Sequence, residues 1–213
     1  FFFKIKEGHR YLGGYLGSTE LTEGYVAEKV EDWMDAVNIF AEMMPHQPQA
    51  AFAGYARSLQ FEWAYIQRAI EVEERLFDPL EKAINDNLLP ALFETNVIPS
   101  DLRKVTSLPC KHGGIGALDP CRETALNRET SKESTTHLVN AILGLTDFKS
   151  DVHQVTMEKG REGGSGRKEE IYKGVRETVE GASSTRNCRN TSTMRYTFPQ
   201  NHVVHFVQHL QPP

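Results

Sequence analysis

The 213-residue sequence predicts a mainly α fold: a bundle of long amphipathic helices, with a short N-terminal β-hairpin and a disordered C-terminal tail. Three observations predict it. Val26, Val30, Trp33, Val37, Phe40 and Met44 recur at steps of four, three, four, three and four, which places all six on one stripe of a helix. Two further stripes follow, Phe52, Tyr55, Leu59, Trp63, Ile66 and Ile70, then Leu80, Ile84, Leu88 and Leu92. After Gly181 the composition turns to Ser, Thr, Asn and Arg with no acidic residue to the end, which is the composition of a disordered tail.

Taken in order, Phe1, Phe3 and Ile5 alternate with Lys4 and Lys6, as a strand does. Gly8 turns the chain and Tyr11–Gly17 forms a second strand, so residues 1–17 read as the remnant of a sheet. The first helix starts at Ser18, where Ser18 or Thr19 caps it and acidic residues meet the positive end of its dipole. Its outer face carries Glu20, Glu23, Glu28, Glu31, Asp32, Asp35 and Glu42 against Lys29. The short Pro45–Pro48 connection makes the second helix an antiparallel neighbour, with Trp33 and Trp63 large enough to anchor the contact. Glu71, Glu73 and Glu74 at the negative end of that helix predict a break. Asp78 caps the third helix, and Pro90 kinks or ends it. Residues 18–98 thus form the bundle.

Residues 99–146 read as a glycine turn plus short helices. Leu102 and Val105 are the apolar side of one, and Gly113, Gly114 and Gly116 permit unusual backbone angles. Asp119-Pro120 opens a helix over about 120–132. Ser134 or Thr135 starts another, with Leu138, Val139, Ile142 and Leu143 as its apolar patch and Gly144 as its stop. A polar helical extension spans 147–180, divided by a flexible Gly163–Gly166 hinge. The tail is 181–213.

Hydrophobic content is 39% and charged content 25%, globular but lean in apolar residues. Three cysteines form no disulfide framework, which predicts a reducing, intracellular compartment, cytoplasmic or nuclear. No apolar run approaches the roughly 20 residues of a membrane helix, so no membrane partner is expected. The absence of a signal peptide and of an initiating Met suggests a fragment or a partial reading frame. Charge is uneven: residues 1–98 hold 8 Lys+Arg against 16 Asp+Glu, and residues 99–213 hold 16 against 13. The front is therefore a poor electrostatic match to a phosphate backbone. The catalytic inventory is empty, with no nucleophile elbow and no distinct carboxylate pair. His202, His205 and His209 could share a helical face but lack a supporting carboxylate. Cys110, His112 and Cys121 match no common zinc motif. No metal site and no cofactor is expected in this chain.

Two anchors stand in order along the chain. Arg10-Tyr11-Leu12-Gly13 leads into the long helix with Trp33. About one hundred residues later comes Leu108-Pro109-(x)3-Gly113-Gly114-Ile115-Gly116. Between them lie Pro48-Gln49-Ala50-Ala51, Leu59-Gln60-(x)2-Trp63 and Leu89-Pro90-Ala91-Leu92. From residue 9 to about 180 this resembles the C-terminal part of reverse transcriptases of LINE-type, non-LTR retroelements.

The resemblance implies that Tyr11, Leu12 and Gly13 lie near the primer grip, and that the helices from Ser18 to Leu92 form a thumb tracking the template–primer duplex. Gly113, Gly114 and Gly116 would be a structural turn. The aspartates that bind catalytic Mg²⁺ would lie upstream of Phe1, in a palm this sequence does not contain. The implied partners are an RNA–DNA or DNA duplex, weakly held, and the remainder of the polymerase chain. The expected phosphate contacts are Lys4, Lys6, Arg10, Arg57, Arg68, Arg103, Lys104 and Lys111. Ala117 departs from the larger apolar residue expected after the turn, and the resemblance stops at Gly181. A non-catalytic reverse-transcriptase fragment is the first reading. A stand-alone helical scaffold or protein-interaction module is the second, and a metal-dependent hydrolase, resting on the histidines alone, the third.

Overall fold

The computed structural model describes residues 7–187. The expected strand at Phe1–Ile5, Lys4, Lys6, the three tail histidines and residues 188–213 of the tail lie outside the described residues.

Strands β1 (Gly8–Tyr11) and β2 (Gly14–Gly17) pair antiparallel, with Gly8 opposite Gly17 and Tyr11 opposite Gly14. Gly8 therefore begins a strand instead of turning the chain. The turn is Leu12-Gly13, with φ of 47° and 81°. Two successive positive φ angles match the twist of a two-residue hairpin. Leu12 adopts this angle against its preference, and the neighbouring helices hold it. Tyr65 Oη donates to the Leu12 carbonyl, and Tyr25 Oη donates to the Gly13 carbonyl at 2.9 Å.

Helix α1 (Thr19–Met43) starts at Ser18, whose Oγ accepts from the Leu21 N–H. Val26, Val30, Trp33, Val37 and Met44 are buried and Phe40 is half-buried, while Glu31 and Asp35 face water. Helices α2 (Pro48–Gly54) and α3 (Gln60–Ala69) are continuous through a π-helical turn, Tyr55–Leu59. All six residues of the second stripe are buried. Phe52, Tyr55, Trp63 and Trp33 form a ladder of rings with centroids 6.0, 6.1 and 6.0 Å apart, the tryptophans edge to face. Trp33 Nε1 donates to Glu62 at 3.0 Å, so the indole is buried without an orphaned donor.

The chain leaves α3 at Ile70, as the acidic run predicts. A 3₁₀ turn (Glu74–Phe77) leads into α4 (Asp78–Ala83), a second π-helical turn (Ile84–Leu88) and α5 (Leu89–Phe93). Asp78 does not cap this helix; it accepts from Cys121 Sγ at 3.4 Å. Pro90 does not end it either. The widened turn lies just upstream, where Leu89 N–H reaches back five residues to Ile84 O and opens the helix before Pro90, which has no N–H to donate. The helix stops at Glu94, in the left-handed region at φ 52°.

Beyond the bundle, α6 (Ser100–Thr106) and a 3₁₀ turn (Cys110–His112) lead to one long helix, α7 (Pro120–Ile142), capped by Asp119 through the N–H groups of Cys121 and Arg122. The two short helices expected over 120–143 are thus one. Their apolar patch, Leu138, Val139, Ile142 and Leu143, faces water. At Gly144 the helix closes with Leu145 N–H on Asn140 O and Gly144 N–H on Ala141 O. Helix α8 (Ser150–Asn187) then runs back along α7, forming an arm.

The expected Gly163–Gly166 hinge is helical, and residues 181–187 continue the helix into the expected tail. The reason is the seam between the two helices. A Cβ at Gly160 would lie 2.7 Å from Ser134 N, and one at Gly164 2.4 Å from Thr130 Oγ1. These glycines give backbone proximity in place of bending. Arg167 forks onto Glu133 across the same seam, and the buried Glu123 meets Lys168 at 2.8 Å.

Candidate nucleic-acid interface

Arg103 was expected on a phosphate-binding surface; it is 9% exposed. Its Nε and Nη2 donate to the two oxygens of Glu81, each at 2.6 Å, and Nη1 donates to Ala117 O at 2.7 Å. The guanidinium is an internal tie between α4, α6 and the glycine turn. Burial pushes the Glu81 carboxyl up, and the Arg103 fork acts against that shift. The Tyr55 hydroxyl is buried beside this pair, and desolvation pushes it above its ordinary range. Ala117 fills its position without exposure, and its carbonyl serves Arg103.

The glycine turn is strapped to α6: Gly116 N–H donates to Leu108 O at 2.8 Å and Ala117 N–H to Thr106 O at 3.0 Å. Gly113 and Gly116 have φ of 85° and 74°. A Cβ at Gly114 would stand 2.0 Å from Leu108 O, so close backbone approach requires that glycine. Lys104 is exposed and 4.0 Å from Asp101. Lys111 is exposed but meets Glu169 of α8 at 2.8 Å, and His112 approaches the other oxygen at 3.0 Å. The Lys111 hydrogen bond, ahead of any other cause, holds the Glu169 carboxyl below the usual carboxylate range. These basic residues join the arm to the turn.

The remaining candidates lie elsewhere. Arg10 is exposed on β1, with Tyr11 and Leu12 exposed at the hairpin tip. Arg57 is exposed in the first π-helical turn and Arg68 in the last turn of α3. The hairpin and α3 are brought together by the Tyr65 hydrogen bond, while Lys104 lies on α6 and Lys111 in the 3₁₀ turn that follows it.

Residues absent from the sequence reading stand beside the hairpin and α3. Phe61 and Tyr65 are exposed rings on the outer face of α3, one turn apart. Their signal was available: two aromatics at i, i+4 that lie off the buried stripe. Arg128 donates to Arg68 O at 3.0 Å, and Lys132 meets Glu71 at 2.7 Å. The buried Gln67 donates to Pro120 O and Thr124 Oγ1, fixing α3 to α7.

Among the described residues no three His, Cys, Asp or Glu side chains converge to hold a metal ion. Among them no helix is long and apolar enough to cross a membrane. No family model, curated protein or solved structure matches the chain.

Proposed function

We propose that the chain is a non-catalytic part of a retroelement reverse transcriptase, a thumb-like bundle that holds a template–primer duplex beside the polymerase palm. The observation that carries the reading is the build of its two anchor turns. Gly13 takes a left-handed angle in a turn pinned by Tyr25 and Tyr65, and Gly114 sits where no side chain fits. Two of the residues on which the resemblance rests, Gly13 and Gly114, are therefore ones the fold requires at those places, and this supports the reading. Duplex contact falls to Arg10, Arg57 and Arg68, with Lys104 and Lys111 secondary, and binding is weak, independent of sequence and steeply salt-dependent.

Titration of an RNA–DNA hybrid at low and moderate salt tests this. Binding at low salt that weakens on removing Arg57 and Arg68 together supports it. A folded, helical sample with no binding at low salt overturns it. The scaffold reading has its own observation: Leu138, Ile142, Leu143, Leu145 and Phe148 at the tip of the arm are exposed, as at a protein-docking end. Protein association through that tip, without duplex binding, would favour it.

A further inference from the structure

The outer face of the second helix carries a stripe the core does not use. Arg57, Phe61, Tyr65 and Arg68 follow at steps of four, four and three, opposite the buried Leu59, Trp63, Ile66 and Ile70. Phe61 is 57% exposed and Tyr65 43%. Tyr11, 60% exposed, and Arg10 stand on the hairpin that Tyr65 touches. Tyr65 is not a loose ring. Its hydroxyl is bonded to the Leu12 carbonyl, and its edge lies against Gly13, where a Cβ would be 3.3 Å from Cε1. The acid next to Phe61, Glu62, accepts from the buried Trp33 indole. In a half-chain holding 8 Lys+Arg against 16 Asp+Glu, Arg57 and Arg68 lie on the same face of the helix as these rings.

Fixed aromatic faces between guanidinium groups suit nucleobases that are not already stacked in a duplex, with phosphates on either side. We propose that this ridge binds single-stranded nucleic acid, RNA or DNA. Bases stack on Phe61 and Tyr65, and phosphates pair with Arg57 and Arg68. The inference extends the duplex-holding reading without depending on it. The chemistry it invokes is the base face, which a blunt duplex withholds.

Fluorescence anisotropy on the full 213-residue chain tests it, with labelled polythymidine and polyuridine of about 20 nucleotides and a blunt RNA–DNA hybrid as the third probe. The expected result is binding of both single strands at low salt. Phe61→Ala should weaken it about 5- to 150-fold, from a stacking contribution of about 1–3 kcal/mol per base at 1.4 kcal/mol per tenfold. Phe61→Tyr should retain it, and hybrid affinity and helical circular dichroism should not change in either variant. Tyr65→Phe, which keeps the ring and removes its anchor, should lose less than Tyr65→Ala. Hybrid binding without single-strand binding overturns the inference and leaves the duplex reading standing; loss of both overturns both. Single-strand affinity indifferent to Phe61→Ala also overturns it. So does self-association that Phe61→Ala abolishes in a chain that binds no nucleic acid, which would make the ridge an interface between copies.

Discussion

The bundle and the arm hold helices together by opposite means. In α1 to α5 the contact is made of bulk: the ladder from Phe52 through Tyr55 and Trp63 to Trp33, with Val26, Val37, Leu80, Ile84 and Leu88 around it. Between α7 and α8 it is made of proximity: glycines against Ser134 and Thr130, then the Arg167–Glu133 fork and Lys168 on Glu123. The first draws on apolar area removed from water, which large side chains supply. The second needs small residues in register and charges at the rim. The difference teaches that a helix lean in apolar residues can still pack if its partner comes close enough.

The sharpest way to break that contrast is in the bundle. Trp33→Ala should cost about 3–5 kcal/mol, read as a lower denaturation midpoint with the bundle and arm signals falling together. A midpoint shift near zero would mean the aromatic ladder is not what joins α1 to α3. Arg103→Met comes next, since it strands the Glu81 carboxylate in the interior, at about 3–5 kcal/mol. The expected outcome is lost stability with hybrid affinity unchanged in the folded fraction. Loss of affinity at unchanged stability would return Arg103 to the surface.

In the arm, Gly160→Ala drives a methyl group toward the backbone of Ser134 and should destabilise by about 1–3 kcal/mol, seen as faster hydrogen exchange in α7 and α8 while α1 and α3 stay protected. Gly166→Ala, with open space around it, should instead stabilise the helix by up to about 1 kcal/mol. Equal effects at the two positions would deny a close-packed seam.

The smallest effect is one of pH. Hydrogen bonds from Arg167, Lys132 and Lys111 hold Glu133, Glu71 and Glu169 below the ordinary carboxylate range. A depressed acid contributes its stability above its unfolded pKa and loses it as pH falls through the folded value. Arm protection should therefore be flat above about pH 5 and decline below about pH 4. Decline in the bundle first would reverse the assignment.

The bundle was legible because its stabilising residues are bulky and repeat at helical spacing; Val26 to Met44 can be read directly. The arm was not. Gly160, Gly163, Gly164 and Gly166 have the composition of a linker, and only the partner helix reveals two of them as contacts. The hairpin was displaced for a similar reason: Gly8 and Gly13 are the same residue in a sequence, and the pins on Leu12 and Gly13 come from Tyr25 and Tyr65, far along the chain. Of the candidate site, Arg10, Arg57 and Arg68 could be found from charge. Arg103 could not be excluded, because its partner Glu81 lies on another helix, and Phe61 and Tyr65, which lie off the buried stripe, entered no reading of the sequence.

The two π-helical turns bear on how the chain tolerates changes of length. A widened turn holds one residue more than the α-helix it interrupts while the flanking stripes stay aligned. Excising Ser58 from the first would therefore tighten the helix and leave Phe52, Tyr55 and Trp63 facing the same way. The second has no such slack. Removing Asn87 would restore a regular turn directly beneath Pro90, where the ring collides with the carbonyl four residues back. A one-residue gap is thus compatible with the fold between Tyr55 and Leu59, and between Ile84 and Leu88 it costs about 3 kcal/mol or more for as long as residue 90 remains proline.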